Sequence, residues 1–206
     1  TLKNSPSQMQ SVKPYNLEPP YIKADNAVSE ETASTLIQLV DDRGKFSEWS
    51  YNPDCLELQL ANPFSRYTVP SDDKIVSVLP DLFGLGESCM RHMNRYFQNN
   101  VCDIITGHHG FWILKYEKNG KFDLHCDWDS GPNGIRPPIV ATACILLNDD
   151  FRGGETILLT SESGQTIIPR DKHSLLMWDG FTQHKIAPIT EGTRYALVIH
   201  YTGTIK

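Results

Sequence analysis

Apolar residues recur at helical spacing in two stretches of the N-terminal half. In the first stretch they follow Ser29, which can cap a helix, and two glutamates that suit a first helical turn. These apolar residues are Ala33, Leu36, Ile37 and Val40. The second stretch, about residues 71–97, predicts a helix that breaks near Pro80 and residues 84–86. We therefore expect two or three helices before the sheet.

From residue 103 onwards, short runs of strand-forming residues replace the helical pattern. Turn residues separate the runs about every eight to twelve positions, which is typical of an antiparallel sandwich or barrel. The predicted strands are residues 103–107, 110–116, 122–127, 139–148, 155–160, 165–169, 174–178, 182–189 and 193–202. Helices followed by strands predict an α+β fold in which N-terminal helices brace a jelly-roll core.

This order of patterns predicts one domain behind a short arm. Residues 1–20 are polar and interrupted by prolines, so we expect a flexible N-terminal arm. Residues 21–206 then form a single domain, with a helical part over about 21–100 and the jelly-roll core over about 101–206. Residues 43–70 predict a strand followed by a loop.

The composition indicates which kinds of partner and which compartment to expect. Lys and Arg number 19 against 25 Asp and Glu, a net charge of -6 without a basic block, so nucleic acid is not expected. No run reaches the roughly 18 to 20 apolar residues of a membrane span, so no membrane is expected. Five cysteines without a CxxC pair favour a reducing compartment such as the cytoplasm. The chain begins at Thr1, which is compatible with a removed targeting segment.

Candidate metal ligands lie at the end of the predicted strand 122–127. His125 and Asp127 are two residues apart, so on a strand they project from the same face while Cys126 faces away. His184 is the third candidate. Two histidines and one carboxylate leave three coordination positions open, which suits Fe(II) binding a bidentate co-substrate and dioxygen.

A candidate anion-binding residue follows His184. Arg194 comes after a turn signal at residues 188–192, so we expect a hairpin that places Arg194 beside His184. A guanidinium there would hold the distal carboxylate of a co-substrate. Trp128 either covers substrate or packs on its loop, and the two interpretations have equal weight. Arg136 either contacts a substrate carboxylate or pairs with a local acid, and the second interpretation is favoured. Four other histidines are interpreted as satisfied or exposed residues and not as ligands: His92, His108, His109 and His173.

Five sequence segments occur in a fixed order between residues 111 and 201. They are Tyr116, Gly120 and Phe122 before His125-Cys-Asp127; Arg136 with residues 141–148; residues 153–156; Pro169 with residues 175–178; and His184 with residues 192–195. Together they resemble the prolyl 4-hydroxylase branch of the Fe(II)/2-oxoglutarate oxygenases. The resemblance implies a double-stranded β-helix core, Fe(II) held by His125, Asp127 and His184, and 2-oxoglutarate held by Arg194, with Tyr116 reaching toward it.

The same resemblance implies the activity. We expect a dioxygenase that hydroxylates an unactivated C–H bond, with ascorbate as a possible reductant. Its substrate would be a prolyl or other peptidyl residue, a free amino acid or a small metabolite. The alternative is a non-catalytic metal-binding β-sandwich module, against which Arg194 argues because a closed structural site has no use for a carboxylate anchor.

The chain departs from relatives of the oxygen-sensing type at three positions. Leu146 and Val198 stand where those relatives place a tyrosine and a threonine that help to hold the co-substrate carboxylate. Arg194 is therefore expected to act with a different hydroxyl group or with a water. His200 stands where a tryptophan is usual, which predicts a more polar wall of the co-substrate pocket.

Overall fold

The computed structural model describes residues 20–47, 54–61, 73–97, 102–128, 138–160 and 164–205. The helices are α1 (Glu30–Arg43) and α2 (Asp73–Phe97). The strands are β1 (Ile22–Ala24), β2 (Lys45–Phe46), β3 (Cys55–Ala61), β4 (Cys102–Tyr116), β5 (Phe122–His125), β6 (Ile139–Leu146), β7 (Arg152–Gly153), β8 (Thr156–Thr160), β9 (Gly164–Ile167), β10 (Leu175–Asp179), β11 (Gln183–Ile186), β12 (Ile189–Glu191) and β13 (Arg194–Ile205). The predicted arm lies, apart from its last residue, outside the described residues.

Two antiparallel sheets form the body of the described chain. The large sheet has seven strands in the order β1-β10-β6-β13-β4-β3-β2, and the small sheet has four in the order β5-β11-β8-β9. A short pair, β12-β7, stands beside them. Three strands from the predicted helical part, β1 to β3, join the large sheet, so the sheet extends beyond the predicted jelly-roll boundary.

The large sheet separates two apolar clusters, because successive residues of a strand point to opposite faces. The helix-side cluster combines both helices with mostly odd-numbered strand residues, and it includes Ala33, Leu36, Leu39, Val40, Val78, Leu82, Cys89, Met93, Phe111, Ile113, Ala143, Ile145, Met177, Leu197, Ile199 and Tyr201. The interior cluster lies on the other face and includes Cys55, Leu114, Tyr116, Cys144, Leu146, Phe151, Leu158, Ile168, Leu176, Trp178, Ile189, Ala196 and Val198.

Helix α1 follows its sequence signals closely. The hydroxyl of Ser29 accepts the main-chain N–H of Thr32 at 3.0 Å, which satisfies one of the free donors of the first turn. At the other end the N–H of Gly44 donates to the carbonyl of Val40 at 2.8 Å. The predicted cap and apolar face are confirmed.

The predicted break in the second helix is wrong, since α2 runs without interruption through Pro80. Pro80 and Gly84 lie on the exposed side, whereas Val78, Leu82 and Met93 are buried against the sheet. A proline inside a helix costs about 3 kcal/mol, while burying each large apolar side chain contributes about 1.5–3 kcal/mol. Burial on both sides of the proline therefore outweighs the local cost.

The strand predictions differ from the structure mainly at their ends. The two predicted strands 103–107 and 110–116 form one strand, β4, because β13 pairs with both parts of it. The predicted strand 182–189 divides into β11 and β12, which belong to different sheets. Among the described residues, no helix combines the length and the apolar character needed to cross a bilayer.

Candidate active site

The two histidines predicted as ligands face each other on neighbouring strands of the small sheet. His125 ends β5 and is directly opposite His184 of β11. The Nδ1 atom of His125 lies 2.7 Å from the carbonyl oxygen of Asp123, and that of His184 lies 3.0 Å from the carbonyl oxygen of Thr182. Because a carbonyl only accepts, both Nδ1 atoms carry the proton. Nε2 is therefore the ring nitrogen through which each histidine could bind a metal ion.

Asp127 meets both imidazoles although it lies beyond the strand. Since β5 ends at His125, the prediction that the two residues share a strand face is wrong. The carboxylate is held from the large sheet instead, where the hydroxyl of Thr142 on β6 donates to Oδ2. Oδ1 lies 3.5 Å from Nε2 of His125, and Oδ2 lies 3.5 Å from Nε2 of His184.

The electrostatics of these three residues suit metal binding. Burial disfavours the charged form of Asp127, but the imidazoles of His184, His125 and His200 outweigh it and lower the pKa of the carboxyl far below its usual range. Burial lowers the pKa of His184, which favours its neutral form. Ionised carboxylates and neutral imidazoles are the forms that bind metal ions.

The three side chains lie close enough to share one ion. One possible ligand atom from each of His125, Asp127 and His184 lies within 4.8 Å of the other two. An octahedral metal bound by three such ligands keeps three positions for other molecules. The structure thus brings together the three residues that the sequence predicted, and they could hold a metal ion.

A row of side chains on the large sheet lies behind this group. Trp178 of β10 and His200 of β13 are both directly opposite Thr142, so all three point to the same face. The ring of Trp178 lies 5.1 Å from that of His184. Nε2 of His200 lies 3.9 Å from Oδ1 of Asp127. The large sheet therefore contacts the group through Thr142 and its two neighbours.

Arg194 is a buried cation in the sandwich interior. Its side chain is only 1% exposed. Nη2 donates to the hydroxyl of Thr156 at 3.3 Å, and the guanidinium lies 5.4 Å from the centre of the Tyr116 ring. Within the described residues, no carboxylate forms an ion pair with Arg194. Burial raises the pKa of the adjacent Cys144 thiol, so that thiol does not supply the missing negative charge.

Several buried polar atoms of this interior have no hydrogen-bond partner among the described residues. They include Nε of Arg194, the hydroxyl of Tyr116 and Nε1 of Trp178. Burial raises the pKa of Tyr116 well above its usual range, so the phenol stays a donor at neutral pH. Native interiors rarely leave such atoms unpaired. Donors and a guanidinium without a carboxylate fit a bound carboxylate ligand.

The hairpin predicted between His184 and Arg194 is wrong. His184 lies on β11 of the small sheet, whereas Arg194 begins β13 of the large sheet. The intervening β12 leaves the small sheet and pairs with β7, so the chain crosses from one sheet to the other. Arg194 nevertheless reaches the small sheet, because Thr156 lies on β8, the strand that pairs with β11.

Three residues around Arg194 were quoted in sequence motifs without a role. Thr156 provides the hydroxyl that accepts from the guanidinium. The side-chain amide of Asn148 bonds both neighbours of Arg194 in the chain, donating to the carbonyl of Thr193 at 2.7 Å and accepting the N–H of Tyr195 at 2.8 Å. A side chain on Gly154 would meet Arg194 Cδ at 3.1 Å. Only the tertiary contacts identify these roles.

The other candidates fall outside this group. Trp128 stacks on Phe181, with ring centroids 4.3 Å apart, so it packs on an aromatic neighbour at the rim. His173 lies 3.9 Å from Glu30 and not beside the predicted ligands. Arg136 lies outside the described residues, as do the side chains of His92, His108 and His109.

Part of the chain is similar in sequence to known oxygenases. The sequence model of the 2OG-Fe(II) oxygenase superfamily matches residues 111–202, where 2OG stands for 2-oxoglutarate. The resemblance to the 2OG-Fe(II) oxygenases is confirmed. A PKHD-type hydroxylase of Idiomarina loihiensis is 30% identical over 94 residues, which are 46% of this chain and 42% of that protein. The chain thus spans about two fifths of the length of this curated relative.

Solved structures of the 2OG-Fe(II) oxygenases and prolyl hydroxylases share the fold. A prolyl hydroxylase of Trichoplax adhaerens, in complex with a peptide fragment of hypoxia inducible factor, has a TM-score of 0.66 at 16% identity, over 89% of this chain and 83% of that one. A Pseudomonas putida prolyl-4-hydroxylase has a TM-score of 0.64 at 9% identity, over 89% and 92%. The predicted double-stranded β-helix core braced by helices is confirmed.

The cofactor prediction agrees with these findings. The superfamily that matches is defined by Fe(II) and 2-oxoglutarate. The donor set fits an iron ion, because two imidazoles and a carboxylate form the ligand group. The buried guanidinium and the unpaired donors beside it fit a dicarboxylic acid.

Proposed function

We propose that this chain is an Fe(II)- and 2-oxoglutarate-dependent dioxygenase that hydroxylates an unactivated C–H bond. The observation that carries the proposal is Arg194, a buried guanidinium without a carboxylate partner among the described residues. An isolated buried charge is costly, so a fold keeps one where a ligand neutralises it. The cation faces the same interior as the group formed by two histidines and an aspartate.

Each predicted site residue has a role in this proposal. His125, Asp127 and His184 hold Fe(II) through Nε2, a carboxylate oxygen and Nε2. Arg194 pairs with the distal carboxylate of 2-oxoglutarate, and Tyr116 donates its hydroxyl hydrogen toward the same ligand. When bound, Fe(II) and 2-oxoglutarate would supply the oxidising chemistry together with dioxygen: one oxygen atom would enter the hydroxylated product, and the other would enter the succinate that forms with release of carbon dioxide.

Thr156 supplies a hydroxyl group beside Arg194, one of the two partners expected from the sequence, the other being a water. Its hydroxyl accepts from Arg194, which orients one edge of the guanidinium and leaves Nε toward the interior. Leu146 and Val198 face the same interior and offer only apolar contact. They shape the walls and exclude water, which strengthens the charge pair between guanidinium and carboxylate.

The substrate proposed is a prolyl or other peptidyl residue, with a free amino acid or a small metabolite as the other class. Similarity in fold to prolyl hydroxylases, one of them in complex with a peptide, supports the peptidyl class. Trp128, which follows Asp127 in the chain, stacks on Phe181, and both rings are partly exposed and pack against the helix-side cluster. Aromatic faces suit contact with an apolar ring or an aliphatic side chain.

Anaerobic titration tests the proposal directly. Fe(II) and then 2-oxoglutarate are added without dioxygen, and the visible charge-transfer band of an Fe(II)–keto acid chelate is followed. We expect the band with 2-oxoglutarate and a much weaker response with succinate, which lacks the keto group. If the protein binds Fe(II) but shows no such band with 2-oxoglutarate, a non-catalytic metal-binding module would be favoured.

Turnover is then tested with air. Succinate release is measured against a panel of proline-containing peptides, free amino acids and small metabolites. We expect one class to stimulate release above the uncoupled rate and to gain one oxygen atom by mass spectrometry. A chelate band without any stimulated turnover across the panel would contradict both proposed substrate classes.

A further inference from the structure

We propose that His200 is a positioning residue that donates a hydrogen bond to the carboxylate of Asp127 and so fixes it for metal binding. This inference rests on the proposed function. Nε2 of His200 lies 3.9 Å from Oδ1 of Asp127, and the His200 side chain is 22% exposed. It is the third imidazole near that carboxylate, after those of His125 and His184.

His200 does not belong to the ligand group itself. The atoms that lie within 4.8 Å of one another come from His125, Asp127 and His184. Both ligand histidines stand on the small sheet, whereas His200 projects from β13 of the large sheet. From that side it reaches the carboxylate and not the position that the three ligands share.

Two residues of the large sheet approach different oxygens of the carboxylate. Thr142 donates its hydroxyl hydrogen to Oδ2, and His200, which is directly opposite Thr142 in the sheet, faces Oδ1. A carboxylate oxygen only accepts, so the ring of His200 is the donor. Its present distance is roughly 0.7–1.2 Å longer than a hydrogen bond, a gap that a small turn of the carboxylate or the ring closes.

Two donors on adjacent strands set the angle of the carboxylate. When one oxygen of Asp127 binds the metal, the other needs a donor in the protein, and partners of this kind orient a ligand and raise its affinity. An apolar aromatic ring at position 200 cannot provide this bond. The role is therefore specific to the histidine, and a donor of similar reach should replace it.

Metal affinity tests this role without relying on turnover. Mn(II), a redox-stable probe for the Fe(II) site, is titrated calorimetrically into the wild-type chain, His200→Phe, His200→Gln and His173→Asn. His200→Phe keeps a ring without a donor, and His200→Gln keeps an N–H donor at similar reach. His173→Asn is the control, since His173 contacts Glu30 instead of the ligand group.

We expect His200→Phe to bind Mn(II) about 10-fold more weakly, at the lower end of the effect of losing a ligand's hydrogen-bond partner. His200→Gln should stay close to the wild type, and so should the control. The visible spectrum of bound Co(II), which reports ligand geometry, should change in His200→Phe and not in His200→Gln. Circular dichroism and thermal unfolding confirm that each variant is folded.

Each contrary result has a distinct meaning. Equal Mn(II) affinity in the wild type and His200→Phe would overturn the positioning role while leaving the proposed function intact. Equal losses in His200→Phe and His200→Gln would overturn the donor role, because a merely steric contact would then explain both. No Mn(II) binding by the wild type would overturn the proposed function and this inference together.

Discussion

The two faces of the large sheet are built from the same strands and serve different ends. The helix-side cluster is apolar, and its buried phenol is satisfied, since the hydroxyl of Tyr201 donates to the carbonyl of Gly86 at 3.1 Å. The interior face instead holds a buried guanidinium, a phenol and an indole with unpaired atoms. Burial stabilises the fold on the first face, whereas on the second the burial of these polar groups carries a cost that a ligand can offset.

This contrast separates residues that hold the fold from residues that bind. Unpaired buried donors cost about 1–3 kcal/mol each, and they cost nothing once a ligand accepts from them. Substitutions on the helix side should therefore change the free energy of unfolding and leave ligand affinity unchanged. Substitutions of the buried polar residues on the interior face, such as Arg194 and Thr156, should do the opposite.

Among substitutions on the interior face, Asp127→Ala should have the largest effect on metal binding. It removes one of three metal ligands, so Fe(II) affinity should fall by more than about 100-fold, beyond the loss expected for a partner of a ligand. Turnover should disappear, while circular dichroism should show that the variant is still folded. Calorimetry with Mn(II) and succinate release measure these effects, and full activity of the variant would remove Asp127 from the ligand set.

Leu36→Ala tests the helix-side face. Leu36 is fully buried in α1, so its truncation should lower the free energy of unfolding by about 3 kcal/mol through lost burial and a cavity. Chemical denaturation measures the loss. The affinity of the folded protein for 2-oxoglutarate should be unchanged, and a large change in that affinity would contradict the separation of the two faces.

The effect of Arg194→Met on stability should change sign when 2-oxoglutarate is added. Without 2-oxoglutarate the variant should be as stable as the wild type or more so, because it removes a buried charge that has no carboxylate partner in the described part of the chain. With 2-oxoglutarate it should bind about 2–3 kcal/mol more weakly, while Mn(II) affinity is retained. Thermal unfolding with and without 2-oxoglutarate measures both effects. Unchanged 2-oxoglutarate affinity would show that another residue anchors its carboxylate.

Thr156→Val should have the smallest effect. It keeps the shape of the side chain and removes the hydroxyl that accepts from Arg194, so 2-oxoglutarate affinity should fall by about 1 kcal/mol. Val198→Thr is the matched variant, since it adds a hydroxyl to the same interior at the position where relatives carry threonine. If Thr156→Val binds 2-oxoglutarate like the wild type, Thr156 does not orient the guanidinium.

Local signals explain which sequence predictions succeeded. The cap and apolar face of α1 depend on residues within a few positions of one another, so spacing was enough to predict them. The uninterrupted course of α2 depends on burial against strands that come later in the chain, and the sequence pattern around Pro80 could not show that burial. At Pro80, packing against the sheet outweighed the local preference against proline inside a helix.

The ligand set was predictable because its residue types and their order carry the chemistry. The geometry of the candidate site was not predictable. The sequence placed His184 and Arg194 in one hairpin, whereas the chain crosses between sheets and the two residues approach from opposite walls. The contact between Arg194 and Thr156 joins residues 38 positions apart, and that of Thr142 with Asp127 joins residues 15 apart.

The sequence by itself determined the helix α1, the β-rich second half and the candidate ligands His125, Asp127 and His184. Only the tertiary structure decided which wall of the sandwich carries each of them, and that Thr142 donates to Asp127 from the opposite sheet with His200 beside it. The reason is physical. Side-chain periodicity and capping act within one element, whereas strand pairing and burial join distant parts of the chain, and no local pattern records them.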